Sequence, residues 1–231
     1  MGSDPEIKEI TLEELHTDVL PSETQDAFRT AITLPFLKEK WYLAGGTALA
    51  LQVGHRSSED LDFSTEDKDF DIVNLERAVM NEGGWVTTQG YKGTLFGIFR
   101  GSKVSSIAYP FFRSSNQKLQ CGTMRILPLD DIASMKIIVV SQRGKKRDFV
   151  DLYWYTKVHG ASLSATIVRA IEQFPEKNHS MPHFIKSLTY FDDAEEDIMP
   201  KLYFKADWEE IKAYFRKEVP EVAKELLGIK D

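Results

Sequence analysis

Apolar residues in the first half of the chain switch repeatedly between the helical period and the strand period of two. They predict, in order, a helix over 13–38 broken or ended at Pro21 and Pro35, a strand over 41–44, a helix over 47–53, a strand over 60–64, a helix over 72–80, two or three strands over 85–112 and a strand over 123–127. Gly45 and Gly46 separate the first strand from the helix that follows it. We therefore expect a mixed sheet with helices packed against it.

The pattern changes at Pro128, after which the apolar spacing is mainly helical. Asp130 and Asp131 are suited to cap the first helix of this region. Helices are predicted over 132–139, 148–158, 164–174, 208–215 and 221–227. The expected fold class is α+β, a small mixed sheet flanked by helices with a helical C-terminal half. We place two domains at 1–127 and 128–231, with one continuous domain as the alternative.

The composition is that of a globular protein, with 42% hydrophobic and 28% charged residues in a chain of 231. The single cysteine, Cys121, cannot form an internal disulfide and fits a reducing compartment. The chain shows neither a targeting pattern nor an apolar run of membrane-spanning length, so we expect a cytoplasmic protein without membrane association. A net charge of −7 disfavours indiscriminate nucleic-acid binding, although 143–147 carries a basic cluster that is either a phosphate contact or a solvated helix end.

The candidate chemistry begins where Gly45 and Gly46 are followed, thirteen residues later, by Asp60 and Asp62. Residues two apart on a strand point to the same face, so the two carboxylates project side by side. Such a pair repels unless a positive charge lies between its members, and Mg²⁺ or Mn²⁺ prefers oxygen ligands together with water and phosphate. The glycines allow close backbone approach, and the following helix start offers N–H groups to a phosphate. One strand–helix–strand unit therefore contains the parts that phosphoryl transfer needs.

This combination resembles the signature of the polymerase-beta-like nucleotidyltransferase superfamily. More narrowly, the chain resembles the AbiEii/AbiGii-type nucleotidyltransferase toxin family. The segments that carry this resemblance are 43–51, 54–58 and 60–63 for the opening motif, and 131–136, 143–153 and 188–195 for the later ones. The likeness spans 25–215, with its motifs concentrated in two blocks.

The resemblance implies roles for individual residues and implies that the helical portion completes the active-site cleft. The implied nucleotide-binding residues are Gly45, Gly46, Thr47, Arg56, Lys136, Arg147 and Asp151, and the implied catalytic residues are Asp60, Asp62, Lys136 and Asp148. Asp60 and Asp62 would hold the metal, and Asp148 would act as a base or as a further metal ligand. Each role has an alternative: Arg56 as an ion-pair partner of a neighbouring acid, Lys136 as an exposed helix lysine, and Asp151 as a partner of Arg147.

One departure from the superfamily concerns a third carboxylate, which often lies on a later strand of the sheet. The matching strand here carries Ser105 and Ser106, and the chain has no Asp or Glu between Glu82 and Asp130. A two-metal site would need a carboxylate from elsewhere, with Asp148 as the best candidate. Otherwise a single metal serves, or activity is weak or lost.

Three functions fit these patterns. The first is a metal-dependent enzyme that moves a nucleoside monophosphate or pyrophosphate from an NTP to a hydroxyl, such as a tRNA 3′ end or a protein, as the toxin partner of an antitoxin. The second is a degenerate module that binds a nucleotide or a partner without turnover, with the acidic stretch 192–197 as an antitoxin contact or an ordinary solvated loop. The third, a small-molecule nucleotidyltransferase, shares only the first motif. No sequence element indicates which NTP is used or the oligomeric state.

Overall fold

The chain divides into two compact units, Met1–Pro128 and Leu129–Asp231. The computed structural model describes residues 6–38, 40–115, 117–175 and 180–228. The sheet lies in the first unit, and the described part of the second is helical. The expected mixed class of fold is confirmed, although the sheet is larger than the small one expected, with eight strands among the described residues.

The elements of the first unit are β1 (Glu6–Glu9), α1 (Ser22–Ala31), β2 (Tyr42–Ala44), α2 (Gly45–Val53), β3 (Leu61–Thr65), α3 (Ile72–Asn81), β4 (Trp85–Tyr91), β5 (Thr94–Phe99), β6 (Ser102–Ala108), β7 (Gln117–Cys121) and β8 (Met124–Ile126). The strand order is β1-β7-β8-β2-β3-β6-β5-β4. β3 pairs antiparallel with β2 and parallel with β6, so it lies at the centre of the sheet. Every residue of β2 is buried, which suits a short central strand without polar alternation.

The predicted helix over 13–38 is shorter in the structure. Within this segment only α1 is an α-helix. Two 3₁₀ turns precede it, and one 3₁₀ turn follows it. Pro21 caps the start of α1, and Pro35 opens the last of these turns, because proline is tolerated at a helix start and not in its interior. The proline positions therefore divide this segment as expected.

The second unit contains α4 (Leu129–Arg143), α5 (Lys146–Tyr153), a π-helical turn (Trp154–Val158), α6 (Leu163–Gln173), α7 (Met181–Ser187), α8 (Asp192–Glu195) and α9 (Trp208–Leu227). α4 packs against α5, α6 and α7, and more than half of its residues are buried. Phe149 of α5 packs against Trp208 and Phe215 of α9, with ring centroids 5.8 and 5.6 Å apart.

One prediction for this unit was wrong. The segments 208–215 and 221–227 are one helix, α9, which continues through Pro220. The proline ring is exposed, while Val219 and Val222 on either side are buried, so packing holds both halves in line despite the lost backbone hydrogen bond. The acidic stretch 192–197 contains the short helix α8, in which Ala194 is buried and the acidic residues are exposed.

Candidate active site

Asp62 lies in the middle of the sheet, on β3. Its backbone pairs with Ala44 of β2 on one side and with Ser105 of β6 on the other. Asp60 directly precedes β3, and both aspartates are partly exposed. The strand register therefore presents the two carboxylates on the same side of the sheet, as the Asp-x-Asp spacing predicts.

The two oxygens of the Asp62 carboxylate face two different neighbours. Oδ1 accepts a hydrogen bond from the Ser105 hydroxyl at 2.6 Å. Oδ2 lies over Gly45, where a Cβ atom would approach it to 2.8 Å. Gly45 also has a φ of +69°, a conformation that side chains disfavour. Glycine is therefore required at this position for two reasons, and Asp62 is held between the start of α2 and β6.

The start of α2 is joined to the chain that enters β3. Gly45 is the first residue of α2, two residues earlier than predicted, and Thr47 is 1% exposed. The Thr47 hydroxyl donates to the carbonyl oxygen of Asp60 and is 2.7 Å from the Ser58 hydroxyl. These contacts engage the Thr47 side chain internally. The backbone N–H groups of the first turn, at Gly45, Gly46 and Thr47, lack acceptors within α2, as at any helix start.

Arg56 is buried, with 3% of its surface exposed. Its Nη1 donates to the carbonyl oxygen of Ser57 at 2.8 Å. A buried guanidinium next to the loop that precedes Asp60 places a permanent positive charge within the first unit.

A pocket of about 330 Å³ opens beside the carboxylates. It is lined by Asp60, Asp62, Thr88, Phe96, Gly97, Ile98, Lys103, Val104 and Ser105. All of these residues belong to β3, to its preceding residue or to the β4, β5 and β6 strands. One end of the pocket is acidic, and its walls are mainly apolar.

In the second unit, Lys136 of α4 forms a buried cluster with two aspartates of α5. Its Nζ is 2.6 Å from Asp148 Oδ1 and 2.7 Å from Asp151 Oδ2. The three residues are 6%, 2% and 1% exposed in that order, so Lys136 is not an exposed helix lysine. Asp148 Oδ2 is buried and accepts no hydrogen bond from any described residue. The cluster is therefore a buried network of one lysine and two aspartates, in which one oxygen of Asp148 has no hydrogen-bond donor among the described residues.

The basic cluster at 143–147 does not face solvent as a whole. Lys146 is 8% exposed, its Nζ donates to the carbonyl oxygens of Glu195 and Asp197, and its backbone N–H donates to the Asp197 carboxylate. Arg143 and Arg147 are exposed. Lys146 therefore anchors the segment after α8, and the surface charge of this cluster is smaller than the sequence suggests.

Comparison with known proteins identifies the family. The family model described as nucleotidyl transferase AbiEii toxin, type IV toxin–antitoxin system, matches residues 26–113 and 112–227. The chain belongs to this family. An uncharacterized protein from Aquifex aeolicus (strain VF5) is 32% identical over 210 residues, which cover 87% of this chain and 97% of that protein.

Two solved structures share the fold of this AbiEii-family chain. One, from H. pylori and provisionally assigned as a nucleotidyltransferase, superposes with a TM-score of 0.51 at 18% identity and covers 89% of this chain and 96% of its own. The other is MenT4, a nucleotidyltransferase toxin from Mycobacterium tuberculosis H37Rv, with a TM-score of 0.52 at 16% identity, covering 88% of this chain and 86% of its own. Among the described residues, no helix combines the length and apolar character that crossing a bilayer requires.

The acidic pair of this AbiEii-family chain has the donor set of a divalent-cation site with few protein ligands. Within the described residues no group of three or more His, Cys, Asp or Glu side chains forms a metal cluster. Asp60 and Asp62 offer carboxylate oxygens at a partly open surface, which suits Mg²⁺ because this ion keeps several waters and shares phosphate ligands. The pairing of Ser105 with Asp62 puts a hydroxyl next to the acidic pair on the neighbouring strand.

Sequence reasoning missed three features of the site. Two of them are the contact between the Ser58 and Thr47 hydroxyls and the hydrogen bond from Ser105 to Asp62, which join segments that are distant in sequence. Phe96 and Lys103 line the pocket because β5 and β6 lie next to β3 in the sheet. The only available sequence signal was the alternation of residues in the predicted strands, which indicates shared faces but not which strands are neighbours.

Proposed function

We propose that this AbiEii-family nucleotidyltransferase toxin transfers a nucleoside monophosphate from an NTP to a hydroxyl, in a reaction that depends on Mg²⁺ or Mn²⁺. The observation that carries the proposal is the position of Asp62 between Gly45 and Ser105. It places a fixed carboxylate beside a helix start whose first N–H groups have no acceptor within α2. Phosphoryl transfer requires this combination, because charge develops on the phosphate oxygens and on the leaving group.

In the proposed reaction the triphosphate lies at Gly45, Gly46 and Thr47. The backbone N–H groups of this turn bind phosphate oxygens, and the Thr47 side chain supports the turn through its contacts with Asp60 and Ser58. Asp60 and Asp62 would hold the cation, which supplies positive charge to the phosphates. The buried Arg56 adds a second positive charge to the first unit.

The chemical step is a displacement at the α-phosphorus. The acceptor oxygen forms a new bond to this phosphorus, and the bond from the phosphorus to the oxygen bridging the β-phosphate breaks. Pyrophosphate leaves with the electron pair of that bond, and the hydroxyl proton passes to a carboxylate or to water. The protein contributes by orienting the reactants and by presenting fixed charges.

We also propose that Lys136 and Asp148 are required for transfer and that Asp151 and the exposed Arg147 support nucleotide binding. The support is the buried Lys136 cluster, in which Asp148 keeps one carboxylate oxygen without a hydrogen-bond donor among the described residues. Buried ionisable groups with incomplete pairing occur preferentially at functional sites.

The proposed acceptor is the 3′ end of tRNA, the proposed partner is a cognate antitoxin protein, and the proposed compartment is the cytoplasm. The support is the membership in a toxin–antitoxin family and the presence of one cysteine. An NTP donor and a tRNA acceptor are both available in that compartment.

The test is incorporation of label from each of four α-labelled NTPs into total tRNA, with and without Mg²⁺. Asp62→Asn keeps the size of the side chain and removes its charge, so we expect incorporation to be lost. Asp69→Asn is the matched control, because Asp69 is an exposed aspartate that follows the same strand. Label that Asp62→Asn leaves unchanged would contradict the proposal.

A degenerate binding module is the second candidate, and the hydroxyl of Ser105 in place of a third carboxylate favours it. Its signature would be Mg²⁺-dependent nucleotide binding, measured by calorimetry, without label on RNA, protein or small-molecule acceptors. Label on a small molecule alone would instead indicate the third hypothesis from the sequence.

A further inference from the structure

We propose that the 330 Å³ pocket beside Asp60 and Asp62 binds the terminal nucleoside of an RNA acceptor and presents its hydroxyl to the reacting phosphate. This inference rests on the proposed function and specifies where the acceptor lies. The pocket, defined by the lining residues given above, is called the acceptor pocket below.

The two carboxylate oxygens of Asp62 face different neighbours, and the acceptor pocket lies on the side of one of them. Gly45 and the start of α2 lie next to Oδ2, and Ser105, which lines the pocket, donates to Oδ1. In a displacement at phosphorus, the attacking and leaving oxygens are roughly in line on opposite sides. If the leaving pyrophosphate is bound at the start of α2, the attacking hydroxyl approaches from the side of Ser105, which is the side of the pocket.

The walls of the pocket suit a nucleobase. Phe96 is partly exposed and lines the pocket together with Ile98 and Val104. A base can stack on an aromatic ring without sequence preference, because every base has a π-face. A volume of about 330 Å³ lies at the lower end of the range of roughly 300–1,000 Å³ for small-molecule sites. The pocket is thus of the size for one nucleoside.

Lys103 supplies a charge that an RNA acceptor requires. Its side chain is exposed at the pocket and forms no ion pair with any residue in the described part of the chain. By continuation of the parallel register that pairs Leu61 with Val104, it lies on the strand next to Asp60. A lysine at this point can pair with the phosphate of the terminal nucleotide and offset the repulsion between RNA and the two carboxylates. A neutral peptide hydroxyl has no comparable need for it.

Thr88 reaches the pocket because of an irregularity in β4. The register between β4 and β5 shifts between Thr87 and Gln89, which leaves Thr88 as the extra residue of a bulge. Bulges redirect a side chain and are common next to active sites. The redirected hydroxyl of Thr88 adds a hydrogen-bonding group to an otherwise apolar wall.

The experiment measures binding and contact of a short single-stranded RNA with a 5′ fluorescent label and a free 3′ hydroxyl. By fluorescence anisotropy, we expect Phe96→Ala to weaken binding about tenfold or more, since stacking is lost. Phe96→Leu, which keeps an apolar side chain in case the alanine variant misfolds, is also expected to bind more weakly than wild type. Lys103→Ala is expected to reduce the slope of log K against log salt by about 0.7, the value for one phosphate contact on a single strand.

Matched controls are available on the same unit. Phe111→Ala removes a phenylalanine that is 44% exposed, and Lys92→Ala removes an exposed lysine at the β4–β5 turn; neither residue lines the pocket. Both control variants are expected to bind as wild type. A second RNA ending in 4-thiouridine is crosslinked by light and the attached peptide is identified by mass spectrometry, with attachment expected within β5 or β6.

The proposal is overturned if Phe96→Ala and Lys103→Ala bind as their controls do, or if the crosslink maps outside the pocket strands. Transfer of label to a protein hydroxyl and not to RNA would also overturn it. Failure of the proposed function is a separate result: wild type would transfer no label from any NTP, while RNA binding and the crosslink would still report on the pocket.

Discussion

Replacing Lys136 with methionine should destabilise the second unit strongly. Methionine keeps most of the length and the apolar stem of lysine but removes the ammonium group that contacts both Asp148 and Asp151. Both carboxylates are almost fully buried, so neither can be compensated by water without local opening. Removal of one member of a buried ion pair is destabilising because it leaves an uncompensated buried charge.

The magnitude follows from the two contacts of Lys136. At 2.6 and 2.7 Å, each contact corresponds to an attraction of about 6 kcal/mol at an effective dielectric constant of about 20. Desolvation costs several kcal/mol for each of the three ions and offsets most of this attraction. The net loss for Lys136→Met is therefore about 3–5 kcal/mol in the free energy of unfolding. Asp148→Asn should cost less, because Lys136 keeps Asp151 as its partner.

The assay is urea unfolding followed by far-UV circular dichroism, with Lys157→Met as the control because Lys157 is exposed on the neighbouring π-helical turn. We expect a clearly lower urea midpoint for Lys136→Met and an unchanged midpoint for the control. Equal midpoints for the two variants would refute the reasoning, since they would show that the buried cluster contributes no net stability. A lower midpoint for Asp148→Asn than for Lys136→Met would contradict the expectation that Lys136, with Asp151 still as its partner, tolerates the loss of Asp148 better than the two aspartates tolerate the loss of Lys136.

Three further outcomes are expected. Gly83→Ala should lose about 1–2 kcal/mol of stability, because its φ is +74°. Gly45→Ala, at a φ of +69°, should lose at least as much, because its Cβ also meets Asp62 while Gly83 has open space. Only Gly45→Ala should also lose Mn²⁺ binding in calorimetry. Ser105→Ala should weaken Mn²⁺ binding about tenfold, because the hydrogen bond that orients Asp62 is removed; unchanged affinity would exclude this role. Burial, followed by a hydrogen bond to a carboxylate, raises the pKa of Tyr155. The folded protein thus retains a proton that the unfolded chain loses above about pH 10, so the melting temperature should fall as pH rises beyond that value. Tyr155→Phe should reduce this fall, to which other tyrosines with a raised pKa also contribute. An identical pH profile for the variant would argue against the role of Tyr155.

The periodicity of the sequence predicts the central elements of the fold and misses those at its margins. β1 and β7 pair with each other toward one edge of the sheet, and their polar sequences carry no clear apolar alternation. α7 and α8 are too short for a period to be recognised in the sequence. Pro220 marks a helix end in any sequence pattern, and only the tertiary packing of Val219 and Val222 shows that α9 continues.

Within the site, sequence reasoning reaches the residues that belong to one local unit. The spacing of Asp60 and Asp62 predicts a shared face, and the structure has them at one pocket. The basic cluster at 143–147 shows the limit of this approach. The Lys146 ammonium group is engaged in hydrogen bonds to the carbonyl oxygens of Glu195 and Asp197, some fifty positions further along the chain. Local charge in a sequence indicates how many charges are present, and tertiary contacts decide which of them remain at the surface.

The presence of a hydroxyl at Ser105, and not a carboxylate, affects the electrostatics of the site as well as the number of its acidic groups. A third carboxylate next to Asp62 would add repulsion that only additional cations could balance. Ser105 instead donates a hydrogen bond to Asp62 Oδ1 and adds no negative charge of its own. Ser105 also lines the acceptor pocket, whose wall is mainly apolar apart from the exposed Lys103. Under the proposed function, bound phosphates would add negative charge to such a site, and the N–H groups at the start of α2 and the buried Arg56 would offset that charge.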